Sequence, residues 1–291
     1  MSRNRVAVAS LHLNENHQGV ARFFGPFAAY WNSVREISLD FSTCKFLNAE
    51  GAAILAAFII HRREWGGRVR VDWNGISSEI RNQLGRWRLM ELLEQRNFPW
   101  TGNAIPLLHQ RRLDARAVVQ YIETHVQAGA NMPAMTPALV KEMNCSLCEL
   151  FVNVFDHAES PCGGLAIGQY YPNTKRVQIC VCDSGLGLAR KVQREGHFAE
   201  CDGSAIHWAL EEGHSTKSDL PGGLGLFTLR EFVKCNQGSL RILANKGCCV
   251  QQGESLRIES LPASFPGTLI QLGLLIRSDE VYTIQDEEDR F

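Results

Sequence analysis

The sequence predicts an α/β protein in two halves, and three observations point there. Its 291 residues exceed the roughly 100–200 of a single domain. The first half alternates strand-like and helix-like runs. The second opens on a long helical run and then interleaves strands with glycine-rich turns. With 45% hydrophobic and 21% charged residues, the composition is that of a packed protein and argues against a disordered or fibrous chain.

In chain order, "VREISLDF" at 34–41 alternates as a strand does, and "FLNAEGAAILAAFIIHRREWGG" supplies a turn and then a helix that stops near Gly66 and Gly67. "RVRVDW" at 68–73 returns as a strand. "SSEIRNQLGRWRLMELL" opens with capping serines and continues at helical spacing. Strand, helix, strand, helix implies parallel strands with helices packed on them. The apolar run "GAAILAAFII" at 51–60 is far shorter than the ~20 residues that cross a bilayer, so it reads as a buried helix. The N-terminus has no apolar core of signal-peptide length, and a cytoplasmic location is expected.

The run "ISLDFSTCKFLNAEGAAILAAFI", its polar turn and "VRVDW" resemble a STAS domain, the fold of anti-sigma-factor antagonists, over residues 5–97. In that family a hydroxyl before the turn glycine accepts phosphate from a partner kinase. The matching positions here are Asn48, Ala49, Glu50 and Gly51, and Glu50 has no hydroxyl. A carboxylate at a helix N-terminus partly mimics phosphate, so one expectation is a docking domain fixed in one state; the other is that Glu50 simply complements the helix dipole.

Residues 98–135 read as a helical linker, because "LDARAVVQYIETHVQ" has helical spacing and "ANMPAMTP" interrupts it. Residues 136–158 begin with Thr-Pro and sustain helical periodicity. Glu149, Asn153 and His157 are four apart and share one face, as a site or as a solvated stripe. "GLAIGQYYP" and "RVQICVCDSGLGL" read as paired strands, the second running into Asp183 and a G-x-G turn at Gly185 and Gly187. Gly222, Gly223 and Gly225 then precede the helical "LFTLREFVKCNQ", whose first N–H groups suit an anion. No G-K-[ST] follows, so this is not a Walker A loop.

Taken in order, "ELFVNVFDH", "CDSGLGL", "GHSTKSDLPGGLGL" and "PGTLIQLGL" resemble the Bergerat ATP-binding fold of the GHKL superfamily over residues 136–276, an α/β sandwich. The resemblance implies ATP and Mg as cofactors. It makes Glu149 the general base, Asn153 the metal ligand and Asp183 the acid that meets the adenine amino group. Gly185 and Gly187 would let the nucleotide pass, and Thr268 would support the adenine site. Residues 213–226 would form the lid, with Lys217, Gly222, Gly223, Leu224, Gly225 and Leu226 around the phosphates and His157 beside them. His214 would be a lid residue, and Pro221 stands where histidine kinases have the first glycine of the lid motif.

A STAS-like domain before a GHKL domain resembles the anti-sigma type of serine kinase. The expectation is an ATP-using regulatory protein, either a protein serine/threonine kinase or a slow ATPase, with a protein partner or phosphoacceptor and room for a homodimer. The contrasting expectation is a non-enzymatic switch gated by ATP or ADP, which needs Asp183 and the glycines but not Glu149. A histidine autokinase fits less well, because the histidine of "LLHQRRLD" lacks the flanking pattern of a phosphoacceptor.

Ten cysteines without a secretory signal read as reduced thiols. Cys145 and Cys148 form a C-x-x-C inside a helical pattern, and no second pair with ligand spacing follows. Residues 1–130 hold 16 Lys and Arg against 11 Asp and Glu, and the remainder 14 against 20; the basic residues are spread over several elements, which argues against nucleic acid as a direct ligand. Residues 277–291 form an acidic tail.

Overall fold

The computed structural model describes residues 4–94, 102–127, 132–157, 159–197, 200–214, 224–277 and 280–283. It is a mixed α/β protein with one parallel and one antiparallel sheet. The parallel sheet has the order β1 (Asn4–Ala7), β2 (Ile37–Asp40), β3 (Val69–Asp72). Helix α1 (His17–Ala28) connects the first two strands and α2 (Ala49–Glu64) the second and third. Both start on asparagines, Asn16 and Asn48, whose side chains accept from the third backbone N–H onward. Helices α3 (Ser78–Arg86) and α4 (Leu89–Glu94) follow, parted at Arg88, which takes a left-handed φ of 62°.

The antiparallel sheet has the order β4 (Ala104–Gln110), β5 (Gly164–Tyr171), β6 (Arg176–Asp183), β8 (Ser255–Leu275), β7 (Ser239–Gln252). Helix α5 (Ala115–Tyr121) runs into a π-helical turn, Ile122–Gln127, and α6 (Pro137–His157) follows. Helices α7 (Leu188–Arg194), α8 (Asp202–Trp208) and α9 (Leu224–Asn236) lie between β6 and β7. No helix among the described residues is long and apolar enough to cross a membrane.

One expectation needs correcting here: residues 98–135 are not a helical linker throughout. Ala104–Gln110 is a strand that pairs antiparallel with β5. Its sequence, "AIPLLHQ", is too short to show a period, and its pairing partner lies more than fifty residues away.

The two halves share a core. Cross-strand register puts Leu165, Cys182, Leu269 and Leu243 in one row on one face of the antiparallel sheet, beside Ile167 and Cys180. These side chains pack with α1 and α2. Alternate residues, among them Val181, Ile179, Ile270 and Ile242, face the other way and pack with α6, α8 and α9. Helix α2 is therefore covered on all sides, by its own sheet and by β5 and β6. Its fourteen residues from Ala49 to Arg62 are buried, as expected of a helix that is apolar all round. Phe24 of α1 meets Phe265 of β8 at 5.3 Å between ring centroids, and the Trp87 indole donates to the Gly168 carbonyl at 2.8 Å.

Glu50 is the second correction. It does not stand on a docking surface; it is 1% exposed and pairs with Arg241 of β7 at 2.6 Å. The Arg241 guanidinium also donates to the Glu15 carbonyl. Next to it the Ala49 N–H donates to the Tyr171 hydroxyl at 2.9 Å, and that hydroxyl donates to Gln178 at 3.3 Å. The turn that resembles a phosphorylation turn is thus plugged into the second sheet. Burial of the turn followed from which layer covers it, which a single sequence does not display.

Candidate functional site

The candidate site lies at one end of the space between the antiparallel sheet and α6 with α9. Asp183 is the last residue of β6, with the same strand parity as Val181 and Ile179, so it points to the α6 side. Thr268 shares that face through its parity with Ile270 and Leu272. Asp183 is 4% exposed, and its carboxylate accepts from the Gly185 N–H at 2.7 Å, with the N–H and hydroxyl of Thr268 close beside it. Burial pushes its pKa up to about 7, and those donors pull it partly back. No cation among these contacts neutralises it.

The backbone around Asp183 is packed so closely that side chains are excluded. Gly267, before Thr268, has φ +106°, and a Cβ there would lie 2.3 Å from the Asp183 carbonyl oxygen. Gly187, φ +88°, begins α7, and its Cβ would lie 2.6 Å from the Asn245 side-chain oxygen. Asn245 holds this turn from β7: its Oδ1 accepts from the Arg190 N–H at 3.2 Å and its amide donates to the Leu186 carbonyl at 3.1 Å. The Leu188 N–H donates to Thr268 Oγ1 at 2.9 Å. The turn 184–188 is fixed from two strands at once.

Across the same interlayer space stand Glu149 and Asn153, both half-buried and one turn apart on α6. Leu147, Leu150 and Phe151 of α6 are buried beneath them, which turns the Glu149–Asn153 face away from the core centre. The Glu149 carboxylate lies against the first turn of α9. A Cβ on Gly225 would come within 2.6 Å of Oε2, so the glycine is what allows this approach. Leu226 is buried in the core beside it.

The sequence-predicted residues stand in two groups: Asp183, Gly185, Gly187 and Thr268 at the strand ends, and Glu149 and Asn153 on α6 with Gly225 and Leu226 at the start of α9. His157 closes α6 and Leu224 opens α9, with side chains outside the described residues; Lys217, Gly222 and Gly223 lie outside them altogether. Asn245 and Gly267 were not singled out as site residues by sequence reasoning. An Asn at a left-handed position, φ 55°, is recognisable only once the strand around it is known.

Among the described residues no three His, Cys, Asp or Glu side chains cluster as a metal cage. A hard cation held by one amide oxygen plus ligand phosphates and water needs no such cage. Comparison with protein-family models and with curated proteins returned no match.

Proposed function

We propose that the protein is a Mg-dependent ATP-binding regulator of the GHKL type, with a STAS-like first half, and that it uses ATP as a protein serine/threonine kinase or a slow ATPase. The observation that carries this reading is the Asp183 cluster. A buried carboxylate with no cation among its contacts accepts from the Gly185 N–H, at the end of a strand that runs into a G-x-G turn held by Asn245 and Thr268. A carboxylate so placed retains lone pairs for a ligand N–H, as the exocyclic amino group of adenine supplies. Gly185 bares its backbone beside that carboxylate, while Gly187 lets Asn245 and Gly267 pack against the turn and hold it rigid.

On this reading the Asn153 amide oxygen is the chain's ligand to Mg, which it suits because it adds no negative charge beside a triphosphate. When bound, Mg offsets phosphate charge. Glu149 stands where it can orient or deprotonate a water or a target hydroxyl, within the usual ~10²- to 10⁴-fold of a general base. The N–H groups of the first turn of α9 supply phosphate donors once the Glu149 carboxylate shares that space with the ligand.

Isothermal titration with Mg·ATP and a turnover assay test the reading together. Glu149→Ala should keep ATP affinity within a few-fold and lose turnover. Turnover intact in that variant removes Glu149 as base. A wild type that binds ATP and never turns it over, while its partner affinity changes with nucleotide, is the switch instead. No binding of ATP, ADP or a non-hydrolysable analogue ends the proposal.

A further inference from the structure

The end of the molecule where α2 stops carries an exposed apolar pair that the core does not need. Trp65, the residue after α2, is 58% exposed, and Val34, in the loop before β2, is 69% exposed. The two loops are held side by side. The buried Arg62 guanidinium donates to the carbonyls of Tyr30, Ser33 and Arg35, and His61, whose ring stacks on Trp65 at 6.0 Å, bonds Asn32 at 2.9 Å. Two large apolar side chains are thus displayed on a rigid frame.

The rim is cationic. Arg35 and Arg68 are exposed on these two loops and Arg63 in the last turn of α2. The nearby carboxylates are already engaged, Glu64 with Arg111 and Glu36 with Arg70 at 3.0 Å. An apolar anchor inside an arginine rim fits an acidic segment that carries apolar residues of its own. The chain contains one. "IQDEEDRF" at 284–291 has four consecutive acids, Asp286 to Asp289, between Ile284 and Phe291. It leaves the described chain beside Tyr282, which packs on Phe232 of α9, with the antiparallel sheet between it and the α2 layer. Its anchor thus lies across the sheet from the patch, which favours a second copy as the acceptor over its own chain.

We infer that the Trp65–Val34 patch is a self-association surface, and that it receives the acidic segment 284–291 of a second copy of this chain. An oligonucleotide would also favour arginine and tryptophan, but among the described residues the patch exposes one large aromatic ring, Trp65, where a single strand stacks successive bases on several.

Sedimentation of the full chain over a range of concentrations tests this. The wild type should associate, and salt raised to about 1 M should disperse it, since screening then acts within ~3 Å. Trp65→Ala should weaken association at least ~10-fold, a loss of about 1.4 kcal/mol. Two full-length charge reversals should each be monomeric: Arg35→Glu with Arg63→Glu and Arg68→Glu, and Asp286→Lys with Glu287→Lys, Glu288→Lys and Asp289→Lys. Mixed together, they should associate again, because each reversed surface now meets its complement. That recovery separates a lost contact from a misfolded variant. A wild type that is monomeric at every concentration overturns the inference, as does association that survives either reversal. So does association abolished by nuclease, which would make nucleic acid the occupant.

Discussion

Glu50 and Asp183 are both carboxylates buried against the antiparallel sheet, one on each face, and burial pushes both pKa values up. Their partners differ. Glu50 has a cation, Arg241, fixed at 2.6 Å inside the same chain. Asp183 has the Gly185 N–H at 2.7 Å, with Thr268 close by and no cation. A buried charge paired within the fold is committed to holding layers together. One held by neutral donors remains under-compensated and gains most from a ligand that donates to it.

The largest expected effect breaks the committed pair. Glu50→Ala leaves Arg241 buried without a counter-charge and should cost about 3–5 kcal/mol in urea unfolding. Changing both together, Glu50→Leu with Arg241→Met, should recover most of that loss, since a packed apolar pair avoids both desolvation penalties. A single mutant as stable as the wild type would show that water reaches the pair.

Asp183→Asn sharpens the other side. It should weaken ATP binding by roughly 1.5–3 kcal/mol, the range for a hydrogen bond to a charged group. It should leave unfolding stability unchanged or improved at neutral pH, because the folded state no longer buries a reluctant charge. The pH dependence has opposite signs for folding and binding. The folded pKa of about 7 lies above the ordinary aspartate value of 3.8, so Asp183's contribution to stability is complete below 3.8 and is lost as pH rises through 7. A ligand that donates to the charged form binds more tightly above pH 7 and loses up to about tenfold per pH unit below it. Calorimetry at pH 6 and 8 reads this directly.

Gly267→Ala follows. At φ +106° with the Asp183 carbonyl 2.3 Å from the added Cβ, it should cost about 1–3 kcal/mol and disturb ATP binding with it. The smallest effect is that of Tyr171→Phe. It removes the acceptor for the Ala49 N–H and should cost about 1 kcal/mol in unfolding, with ATP affinity unchanged.

Much of the fold was legible because its signals are local. Helix α2 announces itself by an apolar run with an asparagine cap and a Gly66–Gly67 stop. Strand β6 shows as a strand that runs into Asp183 and G-x-G, and α6 as a Thr-Pro start with a sustained period. Strand β4 was not legible, since seven mixed residues carry no period and depend on a partner far along the chain. For the site, Glu149 and Asn153 were readable by helical spacing and Asp183 with Gly185 by a strand that ends in G-x-G, whereas Thr268 came only from the family resemblance. That Thr268 lies on the Asp183 face of the sheet follows from the β6–β8 register, and that Glu149 meets Gly225 from the packing of α6 on α9.

By itself the sequence determined the elements with a strong local signal, among them α2, β6 and α6, because helical period, caps and glycine conformations act within a few residues. Only the tertiary structure decided that α2 serves two sheets and that Glu50 is spent on Arg241 while Asp183 is left to neutral donors. The cost of a buried charge depends on what packs beside it, and here that neighbour stands 191 positions away in the chain for Glu50 and 85 for Asp183.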